Sequence, residues 1–142
     1  MAIERTLLII KPDAVQKNLI GEIIRRVEAK GFRILDADKI LLSRSEAGEF
    51  YRVHRGKSFY DDLVAFMSSG PCVPLVVEGE NAIEGIRELI GATDPAKAAL
   101  GTVRREFAES IRRNCVHASD GPDTAGEEIP FFFCRRRLIN GQ

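Results

Sequence analysis

The chain has 142 residues, 44% apolar and 30% charged, with 21 basic and 21 acidic side chains and no formal net charge. A chain of this length buries about 70% of its unfolded surface in one core, so residues 1–142 are expected to form a single domain. Zero net charge excludes generic coating of nucleic acid or of a membrane surface, where bulk cation density supplies the affinity, yet it allows a local basic pocket.

In chain order, residues 6–10 are a continuous apolar run rich in branched side chains, the pattern of a strand buried on both faces. Ile20, Ile23, Ile24 and Val27 recur at helical spacing, and Gly31 stands where a left-handed cap would end that helix. Residues 34–42 alternate, with Leu35, Ala37 and Leu41 opposite Asp36 and Asp38, as in a half-exposed strand. Ser45 is a candidate N-cap for a helix carrying Phe50, Tyr51 and His54. A short helix with Leu63, Phe66 and Met67 ends at Gly70-Pro71.

Residues 73–77 read as a strand, in which Pro74 must sit at the first positions or on an edge. Asn81 opens a helix with Ile83, Ile86 and Ile90 inward and Gly91 beyond its end. Thr93-Asp94-Pro95 is turn chemistry, Gly101 is another break, and a polar helix is expected over 104–111. Residues 115–117 form a brief last strand, followed by a turn at Ser119-Asp120 and a helix carrying Glu127 and Glu128. The order β-α-β, helical pair, β-α-β fits an α+β fold: a ferredoxin-like split βαβ with a four-stranded antiparallel sheet and helices on one face.

The cysteines, Cys72, Cys115 and Cys134, have no metal-ligand spacing and suggest a reducing, cytoplasmic setting. The first apolar run stops at Lys11, too short for a signal segment or a membrane span. Glycine-rich phosphate loops and the protein-kinase signatures are missing, so any phosphate must be held by side chains. Only two histidines exist. His54 lies among polar residues and reads as a solvated helix face. His117 ends a strand beside a turn, a place for a core or capping histidine as much as for a nucleophile. Cys115, two residues before it, offers a rival nucleophile.

The segment Asn114-x-x-His117-x-Ser119-Asp120 resembles the active-site motif of the nucleoside diphosphate kinase family. Further blocks match in the family's order. They are Glu4 through Asp13 with Lys11-Pro12-Asp13, Ser69-Gly70-Pro71, Glu78 through Ala82, Thr93-x-Pro95-Ala96, and Gly101-Thr102-Val103-Arg104.

The resemblance implies phosphoryl transfer from a nucleoside triphosphate, mainly ATP, to nucleoside diphosphates by ping-pong turnover through His117. It implies that Glu128 orients the imidazole, although Glu127 offers the same carboxylate one residue earlier, and that Ser119 and Tyr51 sit beside the histidine. Lys11, Arg87 and Arg104 match the family's phosphate-binding cations and Thr93 its phosphate-binding hydroxyl. Asn114 matches its ribose contact and Phe59 the ring that stacks on the base. By pattern alone, Arg87, Arg104 and Glu128 are surface charges and Tyr51 and Phe59 core aromatics.

Magnesium is implied as Mg2+ carried by nucleotide phosphates and water, with no protein metal site. A homo-oligomer, tetramer or hexamer built from dimers, is implied as well, with no membrane and no nucleic acid required. Two departures stand out. Ala118 follows the histidine where glycine is usual, which could tilt the ring, and Ser58 replaces a proline before Phe59. Phe131, Phe132 and Phe133, with the arginines beyond them, suggest an end covered by another subunit.

Overall fold

The computed structural model describes residues 2–133; Cys134 and the arginine-rich tail lie outside the described residues. Strands β1 (Ile3–Ile10), β2 (Arg33–Ala37), β3 (Val73–Glu80) and β4 (Val116–Ala118) form one sheet in the order β2-β3-β1-β4. Every pairing is antiparallel. The helices are α1 (Pro12–Gln16), α2 (Ile20–Ala29), α3 (Arg44–Phe50), α4 (Tyr60–Met67), α5 (Ala82–Ile90), α6 (Val103–Phe107) and α7 (Pro122–Phe133). This is the expected α+β, ferredoxin-like arrangement. Among the described residues no helix is long and apolar enough to cross a membrane.

Helices cover both faces of the sheet, where the sequence pattern suggested one. Alternate residues of a strand face opposite ways, and both sets in β1 are apolar, so both need cover. Leu8 and Ile10 join Leu75, Val116 and Ala118 beneath α2 and α5 (Ile23, Val27, Ile86, Ile90). Leu7 and Ile9 join Val76 beneath α3, α4 and α7 (Ala47, Val64, Met67, Phe133). The phenylalanines are largely absorbed within the chain. Phe133 is buried, and the Phe50 ring lies 5.1 Å from that of Phe131 and 5.2 Å from that of Phe132.

Boundaries differ where side chains compete with the backbone ladder. The second strand ends at Ala37, after a register shift between Ile34 and Asp36. The Asp36 carboxylate accepts the Ala37 amide at 2.8 Å, a local bond at that register shift. The cap of α3 is Ser43 rather than Ser45: its Oγ accepts from Glu46 N at 3.0 Å, and Glu46 Oε1 accepts from Ser43 N at 2.9 Å.

That helix stops at Phe50, leaving His54 in a 3-10 turn, Arg52–His54. Asn81 stands at the expected helix start, but with φ 50° and no side-chain cap bond. Helix α6 begins after Thr102, whose side chain accepts the Arg105 amide, and is shorter than expected. Pro74 does sit near a strand start. Its carbonyl accepts from Asp38 N, so its missing donor faces the β2 side beyond the end of that strand, not the β1 ladder.

Candidate active site

Strand β4 pairs with β1 so that Ile9 lies opposite His117. His117 therefore projects from the α3/α7 face, while Val116 and Ala118 point into the opposite core. The imidazole is gripped on several sides. The ring of Phe50 lies 5.5 Å away and that of Tyr51 5.9 Å away, both edge-on. Nε2 lies 3.2 and 3.1 Å from the two carboxylate oxygens of Glu128 on α7.

The carboxylate accepts, so Nε2 carries the proton and Nδ1 holds the free lone pair. Ser119 Oγ donates to Glu128 Oε1 at 2.6 Å and fixes the carboxylate in turn. Glu127 is exposed and makes no such contact, so the geometry selects Glu128.

These groups open onto a cavity of about 910 Å³. Lys11, Tyr51, Phe59, Arg87, Thr93, Arg104, Asn114, His117 and Glu128 all line it, which brings together every sequence-derived candidate except Ser119. Ser119 is buried behind the wall and acts only through Glu128. Phe59 stands at the rim, 37% exposed. The Lys11 Nζ donates to Asn114 Oδ1 at 2.8 Å and to the Arg112 carbonyl at 3.1 Å. Asn114 Nδ2 donates to the Thr93 carbonyl at 3.2 Å, tying three loops together.

Arg104 Nη2 donates to the Val116 carbonyl at 2.7 Å and Nη1 to the Gly91 carbonyl at 3.0 Å. Gly91 has φ 90°, and a Cβ there would meet Thr102 Oγ1 at 2.5 Å, so this close approach requires glycine. Arg87 Nη1 donates to the Ala118 carbonyl at 3.3 Å.

The electrostatics favour an anionic guest. Burial pushes the Lys11 ammonium down to about 8, against the raising pull of Asp13, with Arg104 and Arg112 lowering it further. Burial, then the neighbouring Arg87, lowers Arg104. Among the described residues the hydrogen bonds of the Arg104 guanidinium go to carbonyls, with no carboxylate bonded to it, so a phosphate in the cavity would stabilise it. A second hollow of about 620 Å³, walled by Glu4, Glu80, Glu84, Glu88 and Asp120, has the wrong sign for one.

Among the described residues no group of three His, Cys, Asp or Glu is placed to hold a metal.

Residues 4–138 match the family model described as nucleoside diphosphate kinase. The chain belongs to the nucleoside diphosphate kinase family. It is 59% identical to a nucleoside diphosphate kinase of Dechloromonas aromatica, over 94% of each chain. It is 52% identical to that of Salinibacter ruber, over 98% of each. The solved nucleoside diphosphate kinase of Aquifex aeolicus superposes with a TM-score of 0.94 at 44% identity, covering 97% of this chain and 100% of that one. The halophilic nucleoside diphosphate kinase of Halobacterium salinarum, in complex with CDP, also gives 0.94, at 38% identity over 99% of this chain and 94% of the other. The chain is accordingly a phosphotransferase with a nucleotide site.

Several features around this site escape sequence reasoning. His54 is not a solvated face. Its ring stacks 6.4 Å from Tyr51, lies 5.2 Å from Phe59, and forms part of the cavity wall. The 3-10 turn after α3 puts it there, a feature without a periodic signal. Asp13 is buried in the first turn of α1, and its Oδ2 accepts the Cys115 amide at 3.0 Å. Cys115 itself is no nucleophile. Fully buried in the α2/α5 core and pushed up to about 11 by burial, it faces away from His117 because its backbone turns through φ 74°.

The Ala118 methyl points into that same core, 6% exposed, and does not reach the imidazole. Ala118→Gly is therefore expected to lower stability by about 1 kcal/mol and to leave kcat/KM at the parent value, as thermal unfolding and steady-state assays would report.

Proposed function

We propose that this chain transfers the γ-phosphoryl group of a nucleoside triphosphate, chiefly ATP, to nucleoside diphosphates through a phosphohistidine on Nδ1 of His117. The observation that carries the proposal is the His117–Glu128 pair. With Nε2–H committed to the carboxylate, the lone pair on Nδ1 is free to attack phosphorus.

In the first half-reaction the Nδ1–P bond forms as the bond from phosphorus to the β-phosphate bridging oxygen breaks, and the diphosphate leaves. The phosphorylated ring is cationic, and Glu128 stabilises that charge without taking the proton. In the second half-reaction a terminal oxygen of another nucleoside diphosphate attacks the same phosphorus. The Nδ1–P bond breaks and the neutral imidazole returns. No net proton moves, so the halves are chemically alike and alternate in ping-pong order.

The transition state spreads charge over the equatorial oxygens, where Lys11, Arg87 and Arg104 supply fixed positive charge. Magnesium bound to the phosphates would neutralise part of that charge. Thr93 contributes a hydroxyl to the phosphates and Asn114 a ribose contact. Phe59 stacks on the base through a π-face that all bases share, which supports broad base tolerance. Ser119 and Tyr51 keep Glu128 and the ring in place. From the family resemblance we also assign a homo-oligomer built from dimers, and from the free thiols of Cys72 and Cys115 a cytoplasmic setting.

Incubation with γ-labelled ATP tests the reading. An acid-labile, alkali-stable phosphoprotein should form, and addition of GDP should discharge it. A protein that binds nucleotide but takes up no label would reject the mechanism. A pH dependence follows from Lys11. Its charge is present in the free enzyme below about 8 and is lost as pH rises through that value, so kcat/KM should fall there. Bound phosphate raises the lysine again, so kcat at saturating nucleotide should hold to higher pH. Coincident alkaline limbs in both profiles would count against this assignment.

A further inference from the structure

Cys115 is a non-glycine residue at φ 74°, in the left-handed region that a side chain with a Cβ rarely adopts. Such a conformation persists only where its surroundings over-determine it. Here two hydrogen bonds hold it, both to the segment just after β1. The Cys115 amide donates to Asp13 Oδ2 at 3.0 Å, and its carbonyl accepts from Lys11 N at 2.8 Å.

The residues on either side of this turn are pocket residues. Asn114 bonds the Lys11 ammonium, Val116 accepts from Arg104, and His117 follows one residue later. The Asp13 carboxylate is 2% exposed, and its other oxygen, Oδ1, has no hydrogen-bond partner.

We infer that Asp13 is a positioning residue for phosphoryl transfer: its buried carboxylate clamps the turn at Cys115 and so holds Lys11 and His117 in register across the pocket. The inference rests on His117 being the phosphoryl carrier.

A purely geometric clamp would need one acceptor, which a neutral amide oxygen also provides. The charge has its own use. Lys11 faces Arg104 and Arg112, the thiol of Cys115, and the Phe66 ring at 5.5 Å, a ring it shares with Arg113. Burial and the two arginines lower its affinity for the proton, and Asp13 is the principal group that opposes them. Asp13 therefore acts on the pocket in two ways, by fixing the turn and by holding the ammonium's proton against burial and the two arginines.

Asp13→Asn and Asp13→Ala separate these roles in the full chain, with turnover expressed per phosphorylatable site from the labelling assay. Asp13→Asn keeps an acceptor for the Cys115 amide and is expected to reach the parent's labelling stoichiometry at a pH well below its alkaline limb. Its alkaline limb of kcat/KM should move to lower pH by about one unit. Asp13→Ala also loses the clamp, and its kcat per labelled site should fall by about tenfold to a hundredfold.

Adding Cys115→Gly to Asp13→Ala should recover part of that loss, because glycine adopts the left-handed turn without a clamp. The inference is overturned if the Asp13→Asn profile stays at the parent position. It is overturned too if Asp13→Ala loses turnover only in proportion to its labelled sites. Should Asp13→Ala not fold, Asp13→Asn alone decides. Failure of the parent enzyme to take up label would instead strike the phosphohistidine mechanism itself, a different result from variants that behave like a labelled parent.

Discussion

His117→Ala should form no phosphoenzyme, with kcat lower by at least about 10⁴-fold, while nucleotide binding and the thermal transition stay close to the parent. The size of the effect follows from the chemistry, because neither Cys115 nor His54, the rival nucleophiles, is placed to carry the phosphoryl group. Cys115 is buried in the opposite core, and burial pushes its thiol up to about 11. His54 lies on the wall beyond Tyr51 and has no carboxylate partner among the described residues to set its tautomer.

Binding should survive, because Lys11, Arg87, Arg104 and Phe59 do not depend on the imidazole for their positions. Removing the half-buried ring leaves Glu128 still bonded to Ser119 rather than stranded. A smaller loss, about 10- to 100-fold, is expected for Glu128→Gln, which keeps an acceptor for Nε2–H but loses the charge facing the phosphorylated ring. Rapid-quench labelling beside equilibrium nucleotide binding would measure both. Substantial turnover in the alanine variant would remove His117 from the mechanism.

How much of this site the sequence displays depends on the distance between cause and effect along the chain. The strands were readable because their apolar runs are local, as at residues 6–10, and α2 and α5 because their apolar residues recur at helical spacing. Helix α1 was not, since five residues opening on Pro12 are too few to show a period. The His117–Glu128 pair joins a strand to a helix 11 positions on, which no periodicity links, so it was visible only through a known motif.

The Asp13 clamp spans 102 positions and depends on one backbone angle at Cys115, so nothing local announces it. The cover on the second sheet face was in plain view as the two-sided apolar run of β1. The helical pair α3 and α4, given no sheet face in the sequence reading, is what supplies that cover together with α7.

Arg104→Ala is expected to lower kcat/KM by about 10²- to 10³-fold, mostly in kcat, and to slow label uptake without abolishing it. Arg104 is 6% exposed, yet among the described residues every hydrogen bond of its guanidinium goes to a carbonyl: Gly91, Asn114 and Val116. The turn at Gly91 and the segment 114–116 are thereby tied to one cation, while no carboxylate among the described residues is hydrogen-bonded to it, an arrangement stabilised when a phosphate occupies the pocket.

The alanine variant removes both the tie and the charge, so a lower thermal transition should accompany the kinetic loss. Arg104→Lys separates the two. A lysine retains the charge but lacks the planar fork that reaches several carbonyls at once. If transition-state charge dominates, the lysine variant should recover much of kcat while staying less stable than the parent. If it recovers stability but not kcat, the guanidinium geometry at the phosphate is what matters. An alanine variant with unchanged kcat/KM would mean that Arg104 only holds the loops together, and that Lys11 and Arg87 carry the positive field alone.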